Sequence, residues 1–193
     1  HGCYGARYAA WKAGLPPDTL ALTVNLACGG GLRAVAEAVQ DVESGEASAV
    51  LAGGADCASR LAKDVFVPSF TDLSCSQPIA ATVEPLARRA GLTRTGLDAW
   101  ALESHRRAVA ARARLAEEVV AVPGAAADDL PQEDLDAAGL AAAKAGFPLG
   151  LVTARNTHAL ADGGSAVLLA EASWADARGL RPLAAVVATA YAA

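Results

Sequence analysis

The passage from Leu20-Ala21-Leu22-Thr23-Val24-Asn25-Leu26-Ala27 through Cys28 into Gly29-Gly30-Gly31 constrains this chain more than any other stretch. The apolar run predicts a buried strand, and the glycines followed by a 3.6-residue period predict a tight turn into a helix. A cysteine at that junction sits beside the unpaired N–H groups of a helix N-terminus and the positive end of its dipole, and both favour thiolate over thiol. Two uses remain open on these residues alone. Cys28 is either a nucleophile that attacks a carbonyl to form a thioester, its own N–H facing the oxyanion, or a small buried side chain in a tight turn. A phosphate cradle is disfavoured, because neither G-x-G-x-x-G spacing nor a following Lys-Ser or Lys-Thr is present.

The pattern around this turn predicts an α/β fold. Residues 5 to 14 read as a short helix closed by Gly14, and Pro16-Pro17 break the chain before the strand at 20 to 27. The helix at about 29 to 44 carries Leu32, Val35, Ala36, Val39 and Val42 on one face, with Gly45 placed to end it. Ser48 to Ala52 then reads as a buried strand closing on Gly53-Gly54. The spacing predicts a parallel, right-handed βαβ unit. From about 56 to 150 the pattern loosens into an inserted lobe whose long helix, about 94 to 116, is capped by Thr93 and shows Leu97, Trp100, Ala101, Ala108 and Leu115 on its apolar face. His105 shares that face and reads as a packed structural histidine. The α/β pattern resumes at Leu151, with a turn at Asp162-Gly163-Gly164, a strand at about 165 to 170, a short helix capped by Ser173 and a last strand at about 183 to 190. The expected domains are residues 1–55 with 151–193 as core, and 56–150 as inserted lobe.

Composition narrows the function class. With 53% hydrophobic but only 5% aromatic residues, the interior must be built from Ala, Val and Leu. A net charge of −5 and the lack of any basic run argue against nucleic acid as a partner. Cys3, Cys28, Cys57 and Cys75 have no C-x-x-C spacing and no histidine pairs nearby, which argues against a structural metal site and for a reducing, cytoplasmic compartment. No apolar run approaches the roughly 18 residues of a membrane span, and no signal peptide is expected. The chain starts at His1 and contains no Met, which suggests a trimmed chain or a piece of a longer one.

Thr23-Val24-Asn25-Leu26-Ala27-Cys28-Gly29-Gly30-Gly31-Leu32-Arg33-Ala34-Val35, followed by Leu51-Ala52-Gly53-Gly54-Ala55-Asp56, resembles the nucleophile region of the thiolases, the acyl-CoA C-acyltransferases. Gly91-Leu92-Thr93-Arg94, Ala101-Leu102-Glu103-Ser104-His105 and Glu117-Glu118-Val119-Val120 resemble that family's loop domain. Val152-Thr153-Ala154-Arg155-Asn156-Thr157-His158, leading to Asp162-Gly163-Gly164-Ser165-Ala166-Val167-Leu168-Leu169, resembles the return into its core, and Gly179-Leu180-Arg181-Pro182-Leu183 its closing strand.

The resemblance implies an α/β/α layered domain with a mixed, mostly parallel sheet and an inserted, mostly helical loop domain closing over coenzyme A. It implies that Cys28 is acylated, that His158 stands where the family has a Ser or Thr against pantetheine, and that Ile79 lies near a methionine packing on coenzyme A. It further implies a coenzyme A thioester as substrate, no covalently bound cofactor, a role in fatty acid metabolism, and dimers or tetramers. The chain departs from the family at Gly30, usually Ser, and at Asp56-Cys57-Ala58, usually Glu-Ser-Met.

The family's Asn-Glu-Ala-Phe segment, Gly-His-Pro histidine and second cysteine do not occur in this sequence. Claisen chemistry needs a base at the α-carbon and donors for the enolate oxygen, so the chain by itself is expected to be inactive in condensation or thiolysis. Two other classes therefore stand beside the thiolase reading: a non-catalytic partner subunit or pseudoenzyme, and a ketoacyl-synthase-like condensing enzyme. A subunit supplying the missing C-terminal half is a further expected partner.

Overall fold

A computed structural model describes residues 4–62, 64–65, 68 and 70–191. Its contacts divide the chain into two units, a core of His1–Asp56 with Gly163–Ala193 and a lobe of Cys57–Asp162.

In the core, helix α1 (Gly5–Lys12) ends at Gly14, whose φ of 79° is the left-handed geometry that glycine adopts without strain. Arg7 then donates to the carbonyls of Thr19 (2.7 Å) and Pro17 (2.6 Å), and the Ala6 N–H donates to Thr23 Oγ1 (3.1 Å), so the segment after the turn is held back on α1. Helix α2 (Gly30–Glu43) buries Ala36 and Ala38 and closes at Gly45, φ 78°. Leu32, expected on its apolar face, is exposed. Strand β1 (Ala49–Cys57) follows.

The partner of β1 is β4 (Asp162–Ala170). The Glu171 N–H donates to the Ser48 carbonyl at 3.0 Å, Gly53 lies against Ser165 and Ala166, and Gly164 lies against Ala55. Positions that rise along β1 meet positions that fall along β4, so this pair is antiparallel. The expected parallel βαβ unit, with a strand at 20–27 beside β1, is not formed among the described residues, because 20–26 carries no ladder. Residues 20–26 and 183–190 form neither helix nor ladder, although both carry the apolar pattern of strands. A strand needs a neighbour for its N–H and C=O groups, and these two lack one among the described residues. Leu20 and Val187 in these segments are 95% and 94% exposed. The last core helix, α7 (Ala172–Asp176), has Glu171 rather than Ser173 at its N-cap position; Ser173 Oγ instead donates to Glu171 Oε2 at 3.2 Å. Asp162-Gly163-Gly164, expected as a turn, forms the start of β4.

The lobe is mostly helical. A short hairpin, β2 (Thr71–Asp72) and β3 (Gln77–Pro78), pairs Thr71 with Pro78 and Asp72 with Gln77. It leads into α3 (Ile79–Arg89) and α4 (Arg94–Ala110), the latter capped by Thr93 Oγ1, which accepts the Gly96 N–H at 3.2 Å. The long helix breaks at Ala111 and resumes as α5 (Arg112–Leu115); α6 (Ala137–Ala141) follows a loop. Leu102, Leu135 and Leu140 form the buried centre, with Ala101 packed on it. Trp100, expected on the buried face of α4, is 69% exposed, and Asp98 is buried instead. His105 does play a structural part: its Nδ1 accepts the Gln132 N–H at 3.1 Å and holds the loop before α6 on α4.

Gly53 illustrates how closely β1 and β4 approach. A Cβ at this position would lie 2.4 Å from the Ser165 carbonyl oxygen, whereas one at Gly163 would meet nothing within 4 Å. Gly53→Ala is expected to lower stability by about 1–3 kcal/mol, the usual cost of forced overpacking. Gly163→Ala is expected to cost clearly less, and urea denaturation midpoints of the two variants check the contrast.

Candidate active site

Cys28 sits in a 3₁₀ turn, Ala27–Gly29, directly ahead of α2. The preceding residue, Ala27, has φ 43°, a left-handed conformation that costs a non-glycine residue energy and marks sites whose surroundings over-determine the backbone. Two contacts supply that constraint. Asn25 Oδ1 accepts the Ala27 N–H at 3.0 Å, and the Gly29 N–H donates to the Leu26 carbonyl at 2.9 Å. A Cβ at Gly29 would lie 3.2 Å from Leu26 Cδ2, close enough that the Leu26 side chain would have to shift. The next turn of α2 rests on β1, with Gly31 Cα 3.6 Å from where a Cβ of Gly54 would stand. Cys28 is thereby exposed at the mouth of a helix N-terminus. It carries a thiol, as do Cys57 and Cys75; Cys3 lies outside the described residues.

The other two candidate residues belong to the lobe. Ile79 is the first residue of α3, half-exposed, and its N–H donates to the Phe70 carbonyl at 2.9 Å so that the hairpin fixes where the helix begins. At the tip of that hairpin Asp72 Oδ1 accepts the Ser74 hydroxyl (2.6 Å) and N–H (2.8 Å), which hold the carboxyl below its ordinary pKa. His158 is exposed and follows a turn built from Thr153 to Thr157.

That turn is held from three sides. Thr153 Oγ1 accepts the N–H groups of Arg155 (3.2 Å) and Asn156 (3.1 Å), while the Thr157 hydroxyl donates to the Thr153 carbonyl (2.7 Å). Asn156 Nδ2 donates to Asp98 Oδ1 and to the Leu151 carbonyl, both at 2.9 Å, and its Oδ1 accepts the Thr153 N–H at 2.8 Å. Asp98 is in turn paired with Arg94 Nε at 2.8 Å, and the Arg94 guanidinium also caps the carbonyls of Leu140 and Ala143 at the end of α6. The third hold is Glu84, which accepts the backbone N–H groups of Leu149, Leu151 and Val152. By these contacts residues 151–162 lie with the lobe, although the sequence pattern places their start in the core.

Sequence reasoning singled out neither Glu84 nor Asp98. A signal was present for Glu84: it interrupts the small-residue stripe Ala80, Ala81 and Ala87, where an amphipathic helix calls for another apolar residue. An acid at such a place must find donors, since an unpaired buried carboxylate is costly.

Where the lobe begins and ends, the chain is clasped. Asp162 Oδ1 accepts the Ser59 N–H at 2.8 Å, and Asp162 Oδ2 accepts the Ser59 hydroxyl and, at 3.3 Å, the Cys57 thiol. The Ser59 hydroxyl, the Ser59 N–H and the Cys57 thiol hold the Asp162 carboxyl below its ordinary pKa against a smaller opposing desolvation.

The sequence matches the family described as thiolase, N-terminal domain, over residues 1–62 and 55–173. An acetyl-CoA acetyltransferase of Chromobacterium violaceum is 36% identical over 94% of this chain and 54% of its own length. Among solved structures, human mitochondrial 3-ketoacyl-CoA thiolase in complex with CoA superposes with a TM-score of 0.82 at 27% identity, covering 93% of this chain and 52% of that one. The acetyl-CoA acetyltransferase of Bacillus anthracis gives 0.82 at 28% identity, with 92% and 52% covered. With its α/β core, inserted helical lobe and cysteine turn, this chain belongs to the thiolase family. It spans about half the length of the relatives it matches.

A depressed carboxylate stabilises the fold above its unfolded pKa, and that contribution is lost as pH falls through the lower, folded value. For Asp162 the loss therefore begins below about pH 4, the ordinary aspartate value. Wild type and Asp162→Asn are expected to differ most in urea midpoint near neutral pH and to converge on acidification; a difference independent of pH would show that the clasp does not depend on the charge.

Proposed function

We propose that Cys28 is the acyl-accepting nucleophile of a thiolase-type acyl-CoA C-acyltransferase. The observation that carries this reading is the placement of an exposed thiol in a strained turn at the N-terminus of α2, at the positive end of the helix dipole. The Cys28 thiolate attacks the thioester carbonyl of an acyl-CoA, and the carbonyl becomes a tetrahedral oxyanion next to the Cys28 N–H. Collapse re-forms the carbonyl, leaves the acyl group on Sγ and expels the coenzyme A thiolate, which takes up a proton. Ile79 and His158 are the lobe residues assigned to the coenzyme A arm, Ile79 by packing and His158 by a hydrogen bond to pantetheine.

In the whole protein the acyl group passes to the enolate of a second acyl-CoA, or to free coenzyme A in thiolysis, without a metal or bound cofactor. The groups that move the α-proton are not among the residues of this chain, so a C-terminal half must supply them. A homodimer or homotetramer, a place in fatty acid metabolism and a cytoplasmic location complete the reading. The exposed thiols suit a reducing compartment, and no helix among the described residues is long and apolar enough to cross a membrane.

A second reading, a non-catalytic partner subunit, is favoured by one specific set of residues: glycine at position 30, Asp56-Cys57-Ala58 and His158 where the family pattern differs. Intact-mass spectrometry after incubation with acetyl-CoA separates the two. The proposed function requires one acetyl adduct that is absent in Cys28→Ala; a folded wild-type sample, combined with a thiolase C-terminal half, that gains no adduct supports the partner subunit. The same purified chain alone is expected to show no condensation of acetyl-CoA in a coupled assay, since acylation without a base stops at the thioester.

A further inference from the structure

Among the described residues the lobe buries two acids that the proposed chemistry does not use, Asp98 and, more deeply, Glu84. Glu84 is 1% exposed, in the middle of α3, five residues after Ile79. Its Oε1 accepts the N–H groups of Leu151 and Val152, each at 2.8 Å, and its Oε2 accepts that of Leu149 at 2.9 Å. Burial pushes the carboxyl pKa up, but the N–H groups of Val152, Leu151 and Leu149, with help from the positive charge of Arg88, outweigh it and leave the group ionised below its ordinary value. A carboxylate taking three main-chain donors from one loop fixes that loop's path rather than a single contact.

The loop it fixes runs directly into the Thr153–Thr157 turn, and the hydrogen bonds of that turn end one residue before His158. The helix that carries Glu84 begins at Ile79. One buried carboxylate thus joins the two segments that bear the lobe's candidate coenzyme A residues. We propose that Glu84 is a positioning residue for coenzyme A binding, which by holding the N–H groups of Leu149, Leu151 and Val152 sets the 153–158 turn and His158 relative to Ile79. This rests on the reading that Ile79 and His158 face coenzyme A.

The geometry also says how substitution acts. In Glu84→Gln one carboxylate oxygen becomes an NH₂ group, which faces a backbone N–H with no acceptor between them. Either Leu149, or Leu151 and Val152, then lose their partner, and the turn is released at one end. Glu84→Asp keeps the charge but is one methylene short of spanning all three donors.

The test measures binding of desulfo-coenzyme A by calorimetry together with amide hydrogen exchange, on the full chain. Glu84→Gln is expected to speed exchange at Leu149, Leu151 and Val152 and to weaken binding about tenfold or more, the scale of a lost hydrogen bond to a charged group. Leu135→Ala, which loosens the Leu102–Leu135–Leu140 centre while leaving all three donors of Glu84 in place, serves as a control for general destabilisation and is expected to leave affinity unchanged. If Glu84→Gln does not fold, Glu84→Asp carries the same comparison. Faster exchange with unaltered affinity, or equal weakening in Leu135→Ala, overturns the positioning role while the proposed function stands. Wild type that fails to bind desulfo-coenzyme A, with the exchange pattern as expected, overturns the assignment of Ile79 and His158 and the positioning role with it.

Discussion

The lobe depends on how buried charge is satisfied. Its apolar centre is small, built around Leu102, Leu135 and Leu140, and much of its remaining order comes from two buried acids that collect donors from residues 149–156. Glu84 takes three main-chain N–H groups from residues 149–152, and Asp98 takes Arg94 and Asn156. Each bond is stronger for being charge-assisted and shielded from water, and each acid would be a liability if a donor were lost. Irregular segments placed this way are rigid without being helix or strand.

The core solves a different problem. There the strained Ala27 must be held so that Cys28 emerges at the first turn of α2, and the constraint comes from short local bonds at Asn25 and Leu26 and from glycine contacts between α2 and β1. The cost of a left-handed alanine is borne by these surroundings, and the turn they hold leaves the thiol exposed at the start of α2. Side chains of Ala, Val and Leu suffice for this packing, as the scarcity of aromatic residues implies.

Local signals were legible in the sequence, and long-range ones were not. Gly14 and Gly45 marked helix ends because a left-handed residue must stand there, and Thr93 marked a helix start because its hydroxyl replaces a missing N–H partner. The turn at Cys28 was legible from its run of glycines, although the left-handed residue there is Ala27. Strand pairing was not: residues 20–26 and 183–190 carry strand composition, yet composition cannot say whether a neighbour is present. Nor could periodicity reveal that Asp98, rather than Trp100, faces inward on α4, because the donors that make a buried aspartate tolerable come from Arg94 on the same helix and from Asn156, 58 residues away. The family resemblance located residues 152–158, while the reason they hold their shape lay in an acid on a helix some 65 residues earlier.

The antiparallel pairing of β1 with β4 bears on how such a lobe came to be where it is. Cys57 and Asp162 leave the pair side by side, within hydrogen-bond reach, so the core meets the whole intervening stretch as it would the loop of a hairpin. Closing a longer loop on two ends that are already adjacent adds only slowly to the entropy of closure, roughly 0.6 kcal/mol for each doubling of length. The core register is thus nearly indifferent to what is inserted at this point. Stretches of different length can be closed on these two ends at little cost while the register of β1 on β4 is kept.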